Sequence, residues 1–261
     1  MRYYIGIDIG STSTKTAVLD ENDNPILLFV QPTGWSSVDT AEAVRLRLKA
    51  EGYDTENCPV VATGYGRVSV PFADKTVTEI TCHAKGAIQI YGSENLTTID
   101  IGGQDTKVIR VANARVMDFV MNDKCSAGTG RFLEVMANTM GVGIDTMCDM
   151  AAQGSGVSIS SMCTVFAESE VISLIGRGEK RENIAFAVVD SIVRKVTSQV
   201  SHVDLSDAVC LTGGLCECEY IRISLGKALK HEISAHKNGR YAGAIGAALA
   251  AKTIRKEVVR S

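Results

Sequence analysis

A segment that occurs twice constrains the fold of this chain more than any other feature of its sequence. Residues 7–15 (IDIGSTSTK) align with residues 99–107 (IDIGGQDTK), and six of the nine positions are identical. The offset between the two aspartates is 100 − 8 = 92 residues. Both copies end an apolar, strand-like run and precede two further such runs, as expected of a duplicated supersecondary unit. The sequence therefore predicts two related α/β lobes.

The hydrophobic periodicity places elements around each copy. The predicted strands are 3–8, 15–19 and 25–30 in the first copy, and 97–101, 107–111 and 115–120 in the second. A helix follows each triplet, and further helices are predicted at 183–201 and 219–229. We expect a first lobe at 1–94 and a second at 95–240. A terminal helix from 241 to about 256, within the segment 241–261, should pack back on the first lobe.

The repeated turn carries the residue types of a phosphate-binding loop. Gly10 lets the backbone turn without a Cβ clash, and Ser11 and Thr12 offer N–H and O–H groups to phosphate oxygens. Two such hairpins facing each other would clamp a polyphosphate, while Asp8 and Asp100 hold Mg²⁺, mostly through water. The candidate contacts in the two loops are Gly10, Ser11, Thr12, Lys15, Gly102, Gly103, Asp105 and Lys107.

A third glycine turn follows the apolar strand predicted at 208–211. Gly213 and Gly214 stand between this strand and the helix at 219–229. A strand, two glycines and a helix allow a flat group to lie directly on the backbone. We therefore add both glycines to the candidate nucleotide contacts.

Charge and composition exclude several classes of protein. The chain has 27 Lys and Arg against 30 Asp and Glu, a net charge of −3, which disfavours nucleic-acid binding through bulk positive charge. The near-apolar run 241–251 is shorter than the roughly 20 residues that span a bilayer. Residues 1–4 lack a signal-peptide pattern, so a cytoplasmic protein is expected. The eight cysteines are then expected to be mostly buried thiols.

The motifs resemble a known group of ATPases. GIDIGSTSTK, DIGGQDTK and LTGG resemble the two phosphate loops and the adenosine loop of actin, Hsp70 and the sugar kinases. Residues 62–67 (ATGYGR), 122–132 (NDKCSAGTGRF) and 161–170 (SMCTVFAESE) are similar to the activator (component A) ATPases of 2-hydroxyacyl-CoA dehydratases. The resemblance runs from about residue 3 to residue 251. It implies the two-lobed actin/Hsp70/sugar-kinase fold, with duplicated βββαβα lobes and ATP in the cleft.

The resemblance also implies an activity. In that family a homodimer holds one 4Fe–4S cluster, with two cysteines from each subunit, and here these would be Cys125 and Cys163. ATP hydrolysis with Mg²⁺ would drive single electrons from the cluster into a partner dehydratase or a related double-cluster reductase. Ferredoxin or flavodoxin would be the electron donor. Asp8, Asp100 and Gln104 are the candidate catalytic residues, with Gln104 orienting the attacking water.

The residues around the two cysteines favour this interpretation independently. Cys125 precedes a glycine-rich segment and a predicted helix. Cys163 precedes Thr164, an expected N-cap, and a helix with an apolar stripe through Phe166 and Ile172. Both thiolates are thus expected at helix N-termini, where the positive helix end stabilises negative charge.

Two other classes of protein remain open. A small-molecule kinase, such as a sugar or N-acetylhexosamine kinase, would share the fold and could use Asp105 as its base. A filament or chaperone module of the actin or Hsp70 type would assemble without iron. Iron–sulfur absorption after anaerobic purification would argue against both. Cys216 and Cys218 supply only two ligands, and we interpret them, like His83, as structural.

Overall fold

The computed structural model describes residues 2–160 and 163–254, and these divide into two compact units. Unit 1 contains the described residues up to Glu94, the segment Val111–Val116, and those from Asn238 onward. Unit 2 contains Asn95–Arg110 and Met117–Lys237. No helix in the described ranges is both long and apolar enough to cross a membrane.

Unit 1 is built on a five-stranded sheet with the order β3-β2-β1-β4-β5. Strands β1 to β3 form antiparallel pairs, whereas β4 pairs parallel to β1 and β5 pairs parallel to β4. The elements are β1 (Tyr4–Ile9), β2 (Ser13–Leu19), β3 (Pro25–Pro32), α1 (Ser37–Ala50), β4 (Val60–Thr63), β5 (Lys75–Thr76), α2 (Glu79–Tyr91) and α8 (Ala242–Ala251).

Unit 2 carries a sheet with the order β10-β9-β6-β7-β8, in which β9 pairs parallel to both β6 and β10. Its elements are β6 (Leu96–Ile101), β7 (Thr106–Ala112), β8 (Arg115–Asn122), α3 (Gly130–Thr139), α4 (Ile144–Ala151), α5 (Thr164–Gly176), α6 (Arg181–Val200), β9 (Val209–Gly213), α7 (Glu219–Leu229) and β10 (Ile233–Ala235). The apolar faces of its helices form one core with β6, β7 and β9.

The two sheets repeat one strand order, and the repeat is longer than the matched nine residues. Strands β1, β2, β3, β4 and β5 correspond in order to β6, β7, β8, β9 and β10. The parallel registers agree as well, because Asp8 lies opposite Thr63 and Asp100 lies opposite Thr212. The ATG at 62–64 is therefore the structural counterpart of the LTG at 211–213.

Helix α8 packs on α2 and β1 within unit 1. Its residues are almost all alanine or glycine, which lets the backbones approach closely; a Cβ at Gly246 would collide with the carbonyl of Cys82. The small residues thus serve helix packing in unit 1. The helix is also shorter than predicted: it ends at Ala251, and residues 255 and 256 lie outside the described residues.

Candidate functional site

The first hairpin has the predicted backbone turn. Gly10, Ser11 and Thr12 lie between β1 and β2, and the Gly10 N–H donates to the Ser13 carbonyl at 3.2 Å. Lys15 points back along the hairpin, with Nζ 3.4 Å from the Ser13 carbonyl. Within unit 1 its ammonium forms no ion pair among the described residues, so it keeps its charge available for an anionic ligand.

The Asp8 carboxylate is buried at the end of β1 between two glycines. A Cβ at Gly64, which has φ +89°, would lie 2.5 Å from Oδ1, and one at Gly243 would lie 2.5 Å from Oδ2. His83 on α2 is also buried, with Nε2 3.9 Å from Asp8 Oδ2. The sequence interpretation of His83 as a packing residue missed this neighbour, because no local pattern relates α2 to the end of β1.

The second hairpin holds its lysine differently. Gly102, Gly103 and the exposed Gln104 form the turn between β6 and β7, closed by a 2.9 Å bond from the Gly102 N–H to the Asp105 carbonyl. The buried Lys107 Nζ lies 2.5 Å from Asp105 Oδ2. Lys107 is thus already paired inside unit 2, whereas its counterpart Lys15 forms no ion pair with the part of unit 1 that the structure describes.

Asp100 is fixed by two side chains from neighbouring strands. Thr212 on β9 donates from Oγ1 to Asp100 Oδ1 at 2.8 Å, and Lys107 Nζ lies 3.7 Å from Oδ2. All three side chains are buried. Our list of candidate residues omitted Thr212. The signal that could have found it is the match between 62–64 and 211–213, which places a threonine opposite each aspartate.

The third glycine turn is open on one side. Gly213 has φ +86°, and a Cβ there would collide with the backbone of Ile101, so only glycine fits. Gly214 is exposed, with nothing within 4 Å of an added Cβ, and its N–H donates to the Ile101 carbonyl at 3.1 Å. A flat group therefore has free access to the Gly214 backbone.

Cys125 and Cys163 are the two exposed cysteines; five others are buried and Cys218 is half-buried. Cys163 is the N-cap residue of α5, so the prediction of Thr164 as N-cap was wrong by one residue. Cys125 lies five residues before α3, whose N-cap is Thr129, so its predicted place at a helix N-terminus was also wrong. The glycine-rich segment forms an extra turn before the helix begins.

A side-chain hydrogen bond joins the two cysteine-bearing segments. Ser126 follows Cys125, Thr164 follows Cys163, and the two hydroxyl oxygens lie 2.7 Å apart. Within the described ranges, no single chain contains a group of three or more His, Cys, Asp or Glu side chains that could hold a metal. A four-cysteine ligand set would therefore need a second copy of the chain.

The Cys125 segment is also bound to the second hairpin. The N–H groups of Gly130 and Arg131, at the start of α3, donate to the carbonyls of Gly102 and Gly103 at 2.8 and 2.7 Å. Thr106 donates from Oγ1 to the Gly128 carbonyl at 2.7 Å. A displacement of the second hairpin would therefore be transmitted directly to the segment after Cys125.

Two apolar surfaces of unit 2 are exposed. The stripe predicted on α5 faces solvent: Phe166 is 66% exposed and Ile172 is 56% exposed. The edge strand β8 exposes Met117, Phe119 and Met121. Exposed apolar groups on an edge strand and on a helix beside a cysteine are typical of a protein–protein contact surface.

Comparison with known proteins gives three informative likenesses. The model of the BadF/BadG/BcrA/BcrD ATPase family matches residues 5–251. An (R)-2-hydroxyglutaryl-CoA dehydratase activating ATPase from Acidaminococcus fermentans is 39% identical over 250 residues, which are 95% of this chain and 96% of the relative. The solved activator of the 2-hydroxyisocaproyl-CoA dehydratase from Clostridium difficile, with bound ADPNP, has a TM-score of 0.89 and 36% identity, covering 98% of this chain and 99% of that one.

A more distant structure extends the likeness of fold. A ROK family glucokinase from Streptomyces griseus matches with a TM-score of 0.62 at 16% identity, covering 96% of this chain and 99% of the glucokinase. Identity this low shows the fold alone. The expected α/β fold of the actin/Hsp70/sugar-kinase type is thereby confirmed.

Proposed function

The chain belongs to the BadF/BadG/BcrA/BcrD ATPase family, and from this premise we propose that it is an ATP-dependent activator of a 2-hydroxyacyl-CoA dehydratase or a related double-cluster reductase. One observation carries the proposal beyond family membership. The two exposed cysteines of the chain belong to segments that are hydrogen-bonded to each other through Ser126 and Thr164. A sugar kinase has no need of such a pair.

ATP hydrolysis is assigned to the repeated hairpins. Asp8 and Asp100 end equivalent strands, and oxygen ligands of this kind hold Mg²⁺, mostly through water. Lys15 neutralises phosphate charge, whereas Lys107 holds Asp100 and Asp105 in place. The exposed Gln104 orients the attacking water. The C. difficile activator was solved with an ATP analogue bound, which supports a nucleotide as the ligand here.

Cys125 and Cys163 are assigned to a 4Fe–4S cluster shared by two copies of the chain. The pair fits that group because both cysteines are exposed, the residues that follow them are hydrogen-bonded to each other, and two copies supply the four thiolates required. When bound, such a cluster supplies one-electron chemistry. Cys163 is the N-cap residue of α5, so it lies at the positive end of that helix. The exposed apolar residues of α5 and β8 are candidates for the homodimer and partner surfaces.

The electron route and setting follow from the same proposal. With a cluster bound, a ferredoxin or flavodoxin would be the electron donor, ATP hydrolysis would make the electron more reducing, and the partner dehydratase or reductase would be the acceptor. The hydrogen bonds between the second hairpin and the Cys125 segment support coupling between nucleotide and cysteines. We place the protein in the cytoplasm of an anaerobic cell, where a solvent-reachable cluster survives.

Anaerobic purification tests the proposal. We expect a brown homodimer with about four irons per dimer, since one cluster needs four thiolates. Cys125→Ser and Cys163→Ser should each abolish iron binding, whereas Cys58→Ser and Cys218→Ser, the matched controls, should retain it. Full iron content in Cys163→Ser would overturn the ligand assignment. A colourless monomer that phosphorylates a sugar would establish the kinase alternative instead.

A further inference from the structure

The hydrogen bond between Ser126 and Thr164 joins residues that hold equivalent places. Each directly follows a cysteine, so the separation of the two hydroxyl residues equals that of the two cysteines: 164 − 126 = 163 − 125 = 38. At 2.7 Å between the oxygens, the contact is a short, direct hydrogen bond between partly buried side chains. It fixes the distance between two chain segments that are 38 residues apart in sequence.

The Cys125 side of this bond is held firmly. Asn122 donates from Nδ2 to the carbonyls of Cys125 and Ala127, at 2.8 and 3.1 Å. Thr129 donates from Oγ1 to the Ser126 carbonyl at 2.6 Å. Three local hydrogen bonds thus define the path of residues 125–127 without any contribution from Cys163.

The Cys163 side depends more on the bond. The Ala167 N–H donates to the Cys163 carbonyl at 2.9 Å, so Cys163 moves with the start of α5. A side-chain hydrogen bond between α3 and α5, from Thr139 Oγ1 to Glu168 Oε1 at 2.9 Å, lies one helical turn further along α5. The Ser126–Thr164 bond therefore holds the start of α5 at the residue next to Cys163.

We propose that Ser126 and Thr164 are positioning residues that clasp the two cysteine segments together, so that each chain presents Cys125 and Cys163 as a preassembled pair of thiols. The inference deepens the proposed function, on which the role of the thiols as ligands rests. The proximity itself is a property of the iron-free chain and is measurable without cluster or nucleotide.

The experiment is cross-linking of the iron-free full-length chain with a short bis-maleimide. The measured quantity is the rate of Cys125–Cys163 cross-linking divided by the rate at which N-ethylmaleimide alkylates the same thiols, with peptide mass spectrometry identifying the link. Because alkylation depends only on the reactivity of each thiol, dividing by its rate leaves a quantity that reports how close the two thiols lie. A denaturing gel distinguishes links within one chain from links between two.

We expect Thr164→Val and Ser126→Ala each to lower this ratio roughly fivefold, the factor that a net hydrogen-bond contribution of about 1 kcal/mol implies. The double variant should lower it no further, because both changes remove the same bond. Thr164→Ser, which restores a hydroxyl, should match the parent chain. Thr139→Val is the matched control and should change the ratio less than twofold, because its bond lies away from the cysteines.

Two results would overturn the clasp. One is a ratio within twofold of the parent in both Thr164→Val and Ser126→Ala, with unchanged circular dichroism and melting temperature. The other is an equal loss in Thr139→Val, which would assign the proximity to general docking of α5 on α3. If the cross-linking ratio behaves as expected but the chain cannot bind iron, the clasp stands and only the proposed function is contradicted.

Discussion

Replacing Lys107 with methionine tests the different roles assigned to the two repeated lysines. The Lys107 side chain is 3% exposed, and its ammonium lies between the carboxylates of Asp105 and Asp100. The Asp100 side chain is only 2% exposed. Lys107→Met therefore leaves a buried carboxylate without its positive partner, which costs about 3–5 kcal/mol. For a chain of this size 1 kcal/mol corresponds to roughly 2–4 °C, so the melting temperature should fall by roughly 6–20 °C.

The equivalent change in the first copy is the internal control. Lys15 is half-buried and forms no ion pair with the described residues of unit 1, so Lys15→Met should change stability by about 0.5 kcal/mol or less while weakening nucleotide binding. Melting of the iron-free, nucleotide-free chain is followed by far-UV circular dichroism, and nucleotide affinity by calorimetry. Adding Asp100→Asn to Lys107→Met should recover part of the loss, because it removes the buried charge that lost its partner. Equal melting temperatures for the two single variants would refute the assigned difference.

Three further outcomes follow from the site. Asp8→Ala and Asp100→Ala should each lower Mg–ATP hydrolysis by about 100-fold or more, whereas Gly214→Val should weaken nucleotide binding; unchanged turnover in Asp100→Ala would contradict the assignment to the hairpins. Burial raises the pKa of Cys82 and of Cys210 to about 12, so at pH 8 only about one of these thiols in 10⁴ is ionised. The folded, iron-free chain should therefore be alkylated first at its exposed cysteines, which peptide mass spectrometry would show. Partner affinity should differ between ADP and ADP–aluminium fluoride, because a ligand shifts a conformational equilibrium only through different affinities for its states; equal affinities with the iron retained would refute nucleotide gating.

Local patterns in the sequence were sufficient for the strands and glycine turns of the repeat and for helix α7. The predicted helix at 219–229 has the bounds of α7, and the six predicted strands differ from β1–β3 and β6–β8 by at most two residues at either end. These features depend on apolar alternation and on glycine turns, which act within a few residues. The same local reading extended the terminal helix too far, because the end of α8 depends on what it packs against.

Contacts between distant residues required the tertiary structure. The sequence could not show that Thr212 would hold Asp100, that His83 would lie beside Asp8, or that Lys107 would pair with Asp105. These contacts depend on strand order and helix placement rather than on neighbouring residues.

What the sequence determined by itself is the repeat, the residue types of the three glycine turns and the two cysteine segments, because each is a contiguous pattern with its own chemistry. What only the tertiary structure decided is which of the eight cysteines are exposed and which segments meet. Cys125 and Cys163 are 38 residues apart, and burial of the α3–α6 core, together with one hydrogen bond between Ser126 and Thr164, brings their segments together. Proximity of that kind arises from the packing of the whole unit, which no local pattern encodes.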